Sequence, residues 1–144
     1  MDDAKAAGMT DDPVRMATLT LLADRDYLAL ARTSASHVAA LLFFPRPRVG
    51  DLRLAVDEAC TSFLRAAPEG VEASESVETL ELRYDRHPSS LHVTVSGPAP
   101  RGWPERDELG WAMLSALVGD VQVSVRDGVG ALTLIVPLPT SADD

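Results

Sequence analysis

The segment DLRLAVDEACTSFLRAA, Asp51 to Ala67, places Glu58, Ser62 and Arg65 at helical spacing. At about 100° per residue the three fall in one narrow sector of an α-helix. A carboxylate so placed can act as a general base or orient a water. A solvated helix face with mutually supporting i,i+3 and i,i+4 neighbours has the same pattern, so spacing alone leaves both readings open. Leu52, Val56, Ala59 and Phe63 lie in a different sector, so the helix can bury one stripe and still present Glu58 at its edge.

Other groups capable of chemistry do not converge. His37 falls inside a helical pattern, His87 beside a turn and His92 on a strand, where alternation points it away from Val93 and Val95. None of these spacings is that of a zinc site. Cys60, the single cysteine, reads as a small core residue. No GxGxxG, Walker-type loop or GxSxG occurs in the chain. SGPAPRG holds glycines, but its prolines lack the amide donors of a phosphate cradle.

The elements that must position these residues follow from periodicity. VRMATLTLLA, Val14 to Ala23, alternates and is rich in β-branched residues, predicting a strand. Leu28, Ala31, Ala35, Val38 and Leu42 recur at helical spacing behind Asp24 as N-cap. Pro45 and Pro47 in PRPRVG are expected to stop that helix, and the Asp51–Ala67 segment forms the second. A loop, PEGVEASES, leads to strands VETLELRYD and SSLHVTVSG, and an irregular PAPRGWPERDE leads to a third helix, ELGWAMLSALVG, ending near Gly119. VQVSVRDGVGALTLIVPLP reads as a hairpin turning at DGVG. Hairpin-paired strands with segregated helices predict an α+β two-layer sandwich: a mixed or antiparallel sheet with helices on one face. One domain is expected over 14–138, between flexible tails at 1–13 and 139–144.

Composition narrows the class. The chain has 144 residues, 46% of them apolar, enough for one domain with a core. No apolar run approaches the roughly 18 residues of a membrane span, and MDDAKAAGMTDDP lacks the basic and apolar regions of a signal peptide. With the single cysteine, these features predict a cytoplasmic protein. Thirteen basic against 22 acidic residues give a net charge of −9, which argues against nucleic acid as the main ligand and suits a basic protein partner.

LRLAVDEACTSFLRAA, two strands, a Gly/Pro loop, LGWAMLSALVGDVQV and a final GVGALTLIVPLP hairpin together resemble a known family. The chain is similar to the anti-sigma factor serine kinases of the GHKL superfamily, which have the Bergerat (histidine-kinase-like ATPase) fold. Within these it resembles the RsbW/SpoIIAB type and its actinobacterial, UsfX-like branch. The resemblance covers about residues 14–138.

The resemblance implies Mg²⁺–ATP as cofactor, with Glu58 as catalytic base of a Glu-x-x-x-Asn box in which Ser62 stands at the asparagine, a magnesium position. It implies nucleotide contacts at Ser62, Arg65, Ser96, Gly97, Gly110 and Gly130. Several of these depart from the family pattern. A serine hydroxyl reaches less far than an amide carbonyl. Ser96 and Gly97 stand where an adenine-binding aspartate is expected, Glu108 replaces a glycine beside the phosphates, Trp111 replaces a leucine, and Gly130-Ala131 replaces Gly-Thr.

The function implied is therefore that of an anti-sigma factor that sequesters an alternative sigma factor. A STAS-type anti-anti-sigma partner would control it, ATP binding would be weakened or lost, and the protein would form a homodimer. Two alternatives remain open: an active serine kinase that phosphorylates the anti-anti-sigma factor, and a regulator that binds a STAS protein but no sigma factor.

Overall fold

Alternation along three of the five strands buries every second side chain on one face of the sheet. Leu80, Leu82 and Tyr84, then Leu91, Val93 and Val95, then Leu132, Leu134 and Val136 are all buried, while their neighbours in sequence are mostly not. That apolar face is where the helices pack. In the computed structural model, which describes residues 12–64, 78–104 and 108–140, the strands are β1 (Val14–Leu22), β2 (Thr79–Arg86), β3 (Ser90–Pro98), β4 (Asp120–Arg126) and β5 (Val129–Pro137). The helices are α1 (Leu28–Leu41), α2 (Arg46–Ser62) and α3 (Glu108–Val118). Much of the expected tails, and the PEGVEASES loop, lie outside the described residues.

The sheet order is β1-β2-β3-β5-β4, and all four pairings are antiparallel. Of the two sheet types expected, the described strands form the antiparallel one. The β4–β5 hairpin turns at Asp127 and Gly128, both with positive φ. The two strands wind tightly there, as Asp-Gly turns do.

The connection between α1 and α2 differs from expectation. Asp24 caps a short 3-10 turn, Arg25–Tyr27, accepting from the Asp26 amide at 2.7 Å, and α1 begins after it. The prolines do not stop α1. It closes in a Schellman arrangement, with the Phe44 amide bonded to the Ala39 carbonyl at 3.0 Å and the Phe43 amide to Ala40 at 3.1 Å. Phe43 takes the left-handed position, φ 62, and is 85% exposed.

Pro47 instead sits in the first turn of α2, where a missing N–H costs no hydrogen bond. The helix therefore starts at Arg46 rather than Asp51. It ends at Ser62, tightened by the Phe63 amide on Cys60 and the Leu64 amide on Thr61; the expected continuation from Arg65 to Ala67 lies outside the described residues. Leu52, Val56, Ala59 and Phe63 are buried as their spacing predicts. Arg32 of α1 reaches Asp57 of α2 at 2.7 Å, and Ser34 shares a 2.6 Å hydrogen bond with the buried Tyr84 hydroxyl. Together these fix α1 and α2 over the sheet. Among the described residues, no helix is long and apolar enough to cross a membrane.

Candidate functional site

α2 carries Glu58 and Ser62 on successive turns. Glu58 is half-buried and faces the start of α3: a methyl placed on Gly110 would lie 3.4 Å from Glu58 Oε2. That is an ordinary contact distance, so the first turn of α3 lies beside the carboxylate without needing the glycine. The unpaired amides and the positive dipole end of a helix start are favourable for an anionic group. Among the described residues Glu58 has no hydrogen-bond or ion-pair partner.

Ser62 is committed on both sides. Its hydroxyl donates to the Ala59 carbonyl at 2.7 Å and accepts from the indole Nε1–H of Trp103 at 3.1 Å. The Trp103 ring is 8% exposed and packs on Phe63, with centroids 4.6 Å apart and planes tilted by 31°. On its other side the ring rests on the backbone of β5. A methyl at Gly130 would fall 2.6 Å from Trp103 Cζ3, 2.8 Å from Cε3 and 3.1 Å from Phe63 Cε1. Gly130 is therefore bare because an aromatic ring occupies the space.

Gly97 is the cross-strand partner of Gly130, and a methyl there would fall 2.7 Å from Leu80 Cδ2. Neighbouring side chains close over both glycines, Leu80 over Gly97 and the Trp103 and Phe63 rings over Gly130.

The structure thus brings Glu58 to Gly110, and Ser62 and Gly130 to one indole, with Gly97 beside Gly130. It does not bring Ser96 to them. Alternation along β3 puts Ser96 with His92 on the opposite face, pairing across to Ala131. Arg65, and the side chains of Glu108 and Trp111, lie outside the described residues. Trp103 was missed by the sequence reading: it lies in a proline-rich irregular stretch with no periodicity to assign it a direction.

Cys60, one residue from Ala59, is buried, and burial pushes its thiol up to about 12 with a smaller contribution from Asp57. It is a core residue, as expected. His87 and His92 stack at 3.6 Å on the other side of the sheet, and burial, then the neighbouring His87, lowers the His92 pKa. Among the described residues no cluster of three His, Cys, Asp or Glu side chains could hold a metal.

The Mg²⁺–ATP that the resemblance implies does not fit these residues as arranged. The Ser62 proton is given to Ala59 and one lone pair is taken by Trp103. Asp57, the other carboxylate nearby on α2, is paired with Arg32. A hard divalent cation prefers several oxygen ligands in a fixed geometry, and among the described residues this donor set leaves Glu58 alone with an unpaired carboxylate. The space beside Gly130 is filled by the indole.

Comparison with known proteins agrees with the topology. The chain is 32% identical over 117 residues to the anti-sigma-F factor RsbW of Mycobacterium tuberculosis, covering 80% of this chain and 64% of that protein. It is 34% identical over 79 residues to the serine-protein kinase RsbW of Listeria innocua, 55% of this chain and 48% of that one. The chain therefore spans about two thirds or less of the length of these curated relatives. The crystal structure of the RsbU and RsbW domains of Rv1364c from Mycobacterium tuberculosis superposes with a TM-score of 0.65 at 17% identity, over 85% of this chain and 33% of that one. This last likeness bears on the fold alone. The histidine kinase-like ATPase domain family matches residues 21–136, and with that match over most of the chain, from the end of β1 through β5, the chain belongs to the histidine kinase-like ATPase domain family and has its α+β Bergerat fold.

Proposed function

We propose that the protein is a partner-switching regulator that sequesters an alternative sigma factor and yields it to a STAS-type anti-anti-sigma protein. It does so with ATP binding weakened or lost. The observation that carries this reading is the relationship to an anti-sigma-F factor over 80% of the chain, combined with a nucleotide site whose serine and glycine positions are engaged by Trp103. Regulation by binding needs the fold and its surfaces; phosphoryl transfer also needs a metal and a positioned triphosphate, and Ser62 is a poor magnesium ligand in this setting. The setting proposed is the cytoplasm, with the protein acting as a homodimer.

One observation favours a second reading, a serine kinase acting on the anti-anti-sigma partner. Glu58 is unpaired among the described residues and faces Gly110 at the start of α3, where a general base would need to be free.

Affinity capture with the full chain, followed by mass spectrometry, tests the first reading. A sigma factor and a STAS protein are expected among the partners, and recovery of neither overturns it. Incubating the captured STAS protein with Mg-ATP tests the second reading. Phosphate transfer abolished by Glu58→Ala would establish the kinase, and no transfer leaves the binding regulator.

A further inference from the structure

We propose that the space bounded by Phe63, the Ser62 hydroxyl and the Gly130 backbone is a flat-ring binding slot. In this state it is filled by the chain's own Trp103, and the base of a purine nucleotide competes with the Trp103 indole for it. The proposal rests on reading these residues as a nucleotide site, and deepens that reading by naming what closes it.

Three features carry the inference. The slot is shaped for a thin ring: Gly130 of β5 carries no side chain, and even a methyl there would meet the indole at 2.6 Å and Phe63 at 3.1 Å. It is chemically finished by one hydroxyl. Ser62 accepts the indole N–H, and a hydroxyl can equally accept from an exocyclic amine or, by rotating, donate to a ring nitrogen. An indole and a purine are both fused five- and six-membered rings with polar edges, so the Phe63 face stacks on either.

The third feature is the tether. Trp103 belongs to no helix or strand. It ends a turn closed by its own amide on the Pro100 carbonyl at 2.9 Å, which follows the last residues of β3. Withdrawing the indole breaks no sheet pairing, but it loses the hydrogen bond to Ser62 and the Phe63 contact, exposes a core ring to water and empties its place against Gly130, so the closed state predominates.

A tethered competitor lowers the apparent affinity of an incoming ligand by the fraction of molecules in which the slot is open. Weak nucleotide binding would then arise from occupancy as well as from the altered Ser62 and Ser96–Gly97 positions. The Trp103 turn would set how far nucleotide can act on the protein.

The test uses adenosine, which carries no phosphate and needs no metal, titrated into the full chain without Mg²⁺ by calorimetry. Trp103→Ala is expected to bind adenosine at least ~tenfold more tightly than the parent chain, with free indole competing for the vacated slot. Equal adenosine affinity in the folded variant overturns the proposal, and so does a variant that takes up indole but not adenosine. If Trp103→Ala does not fold, Trp103→Phe takes its place. It keeps a ring but loses the N–H to Ser62, and unchanged adenosine affinity there overturns the proposal equally. The sigma-factor reading is scored separately by partner capture, so either can fail alone.

Discussion

Cys60 shows how burial sets chemistry at a single side chain. The folded thiol is pushed up to about 12, first by desolvation and then by Asp57, from an ordinary value of 9.0. Because the folded value lies above the unfolded one, the contribution to stability is complete below about pH 9 and is lost as pH rises from there toward 12. Burial raises the Tyr84 hydroxyl too, against the lowering effect of its Ser34 hydrogen bond, so the two act in the same direction. The urea midpoint is expected to fall as pH is raised above 9, and Cys60→Ala should flatten that fall. At pH 8 the folded thiol should resist iodoacetamide and react after denaturation.

Gly130 gives a steric counterpart. Gly130→Ala is expected to destabilise the chain by about 1–3 kcal/mol through overpacking against Trp103 and Phe63, read from urea unfolding. Helix spacing and the family pattern both single out Glu58 and Ser62, whereas only the family pattern singles out Gly130, which lies on β5. Sequence could not show that an indole from a proline-rich stretch joins two of them, since only tertiary packing determines where that ring goes. Nor did it show that Ser96 faces away, although strand alternation from Val93 and Val95 contains that information.

At the level of elements, the helix ends were the hardest to read and the hairpins the easiest. Asp127-Gly128 between alternating strands is a local signal, sufficient by itself to specify the turn. The α1–α2 corner is not local in the same way. Pro45 and Pro47 look like a stop for the preceding helix, yet they serve the next one, because a proline in a first turn loses nothing. The actual stop is Phe43 in a position that glycine usually fills. An exposed phenylalanine held at φ 62 carries backbone strain of about 1–2 kcal/mol, partly offset in any glycine variant by the entropy of the unfolded chain. Phe43→Gly is therefore expected to raise stability by up to about 1 kcal/mol, measured by thermal or urea unfolding; a loss would mean that the Phe43 ring has a stabilising contact.

Across the whole molecule, the net charge of −9 sets how partners arrive more than how the chain folds. Association with a captured basic partner is expected to slow by about an order of magnitude between about 50 and about 500 mM NaCl, with dissociation little changed. Stopped-flow or biosensor kinetics would show it. Salt-independent association would place the interface on an apolar surface instead. The overall architecture was legible in advance because its hairpins and amphipathic helices each specify a piece of it. Strand order was not, since the pairing of β3 with β5 rather than β4 depends on where α3 returns the chain.

The pairing of β1 also bears on the order of assembly. β2 with β3, and β4 with β5, are joined by short turns, whereas β1 meets β2 only after the chain has run through α1, α2 and the segment beyond. Closing so long a loop is entropically late, and among the described strands β1 has a neighbour on one side alone. Amide hydrogens should therefore exchange fastest along β1 and slowest in β3 and β5 at the centre of the sheet. The floor of the Trp103 slot would then belong to the most persistent part of the protein, and could keep its shape while the edge of the sheet opens and closes.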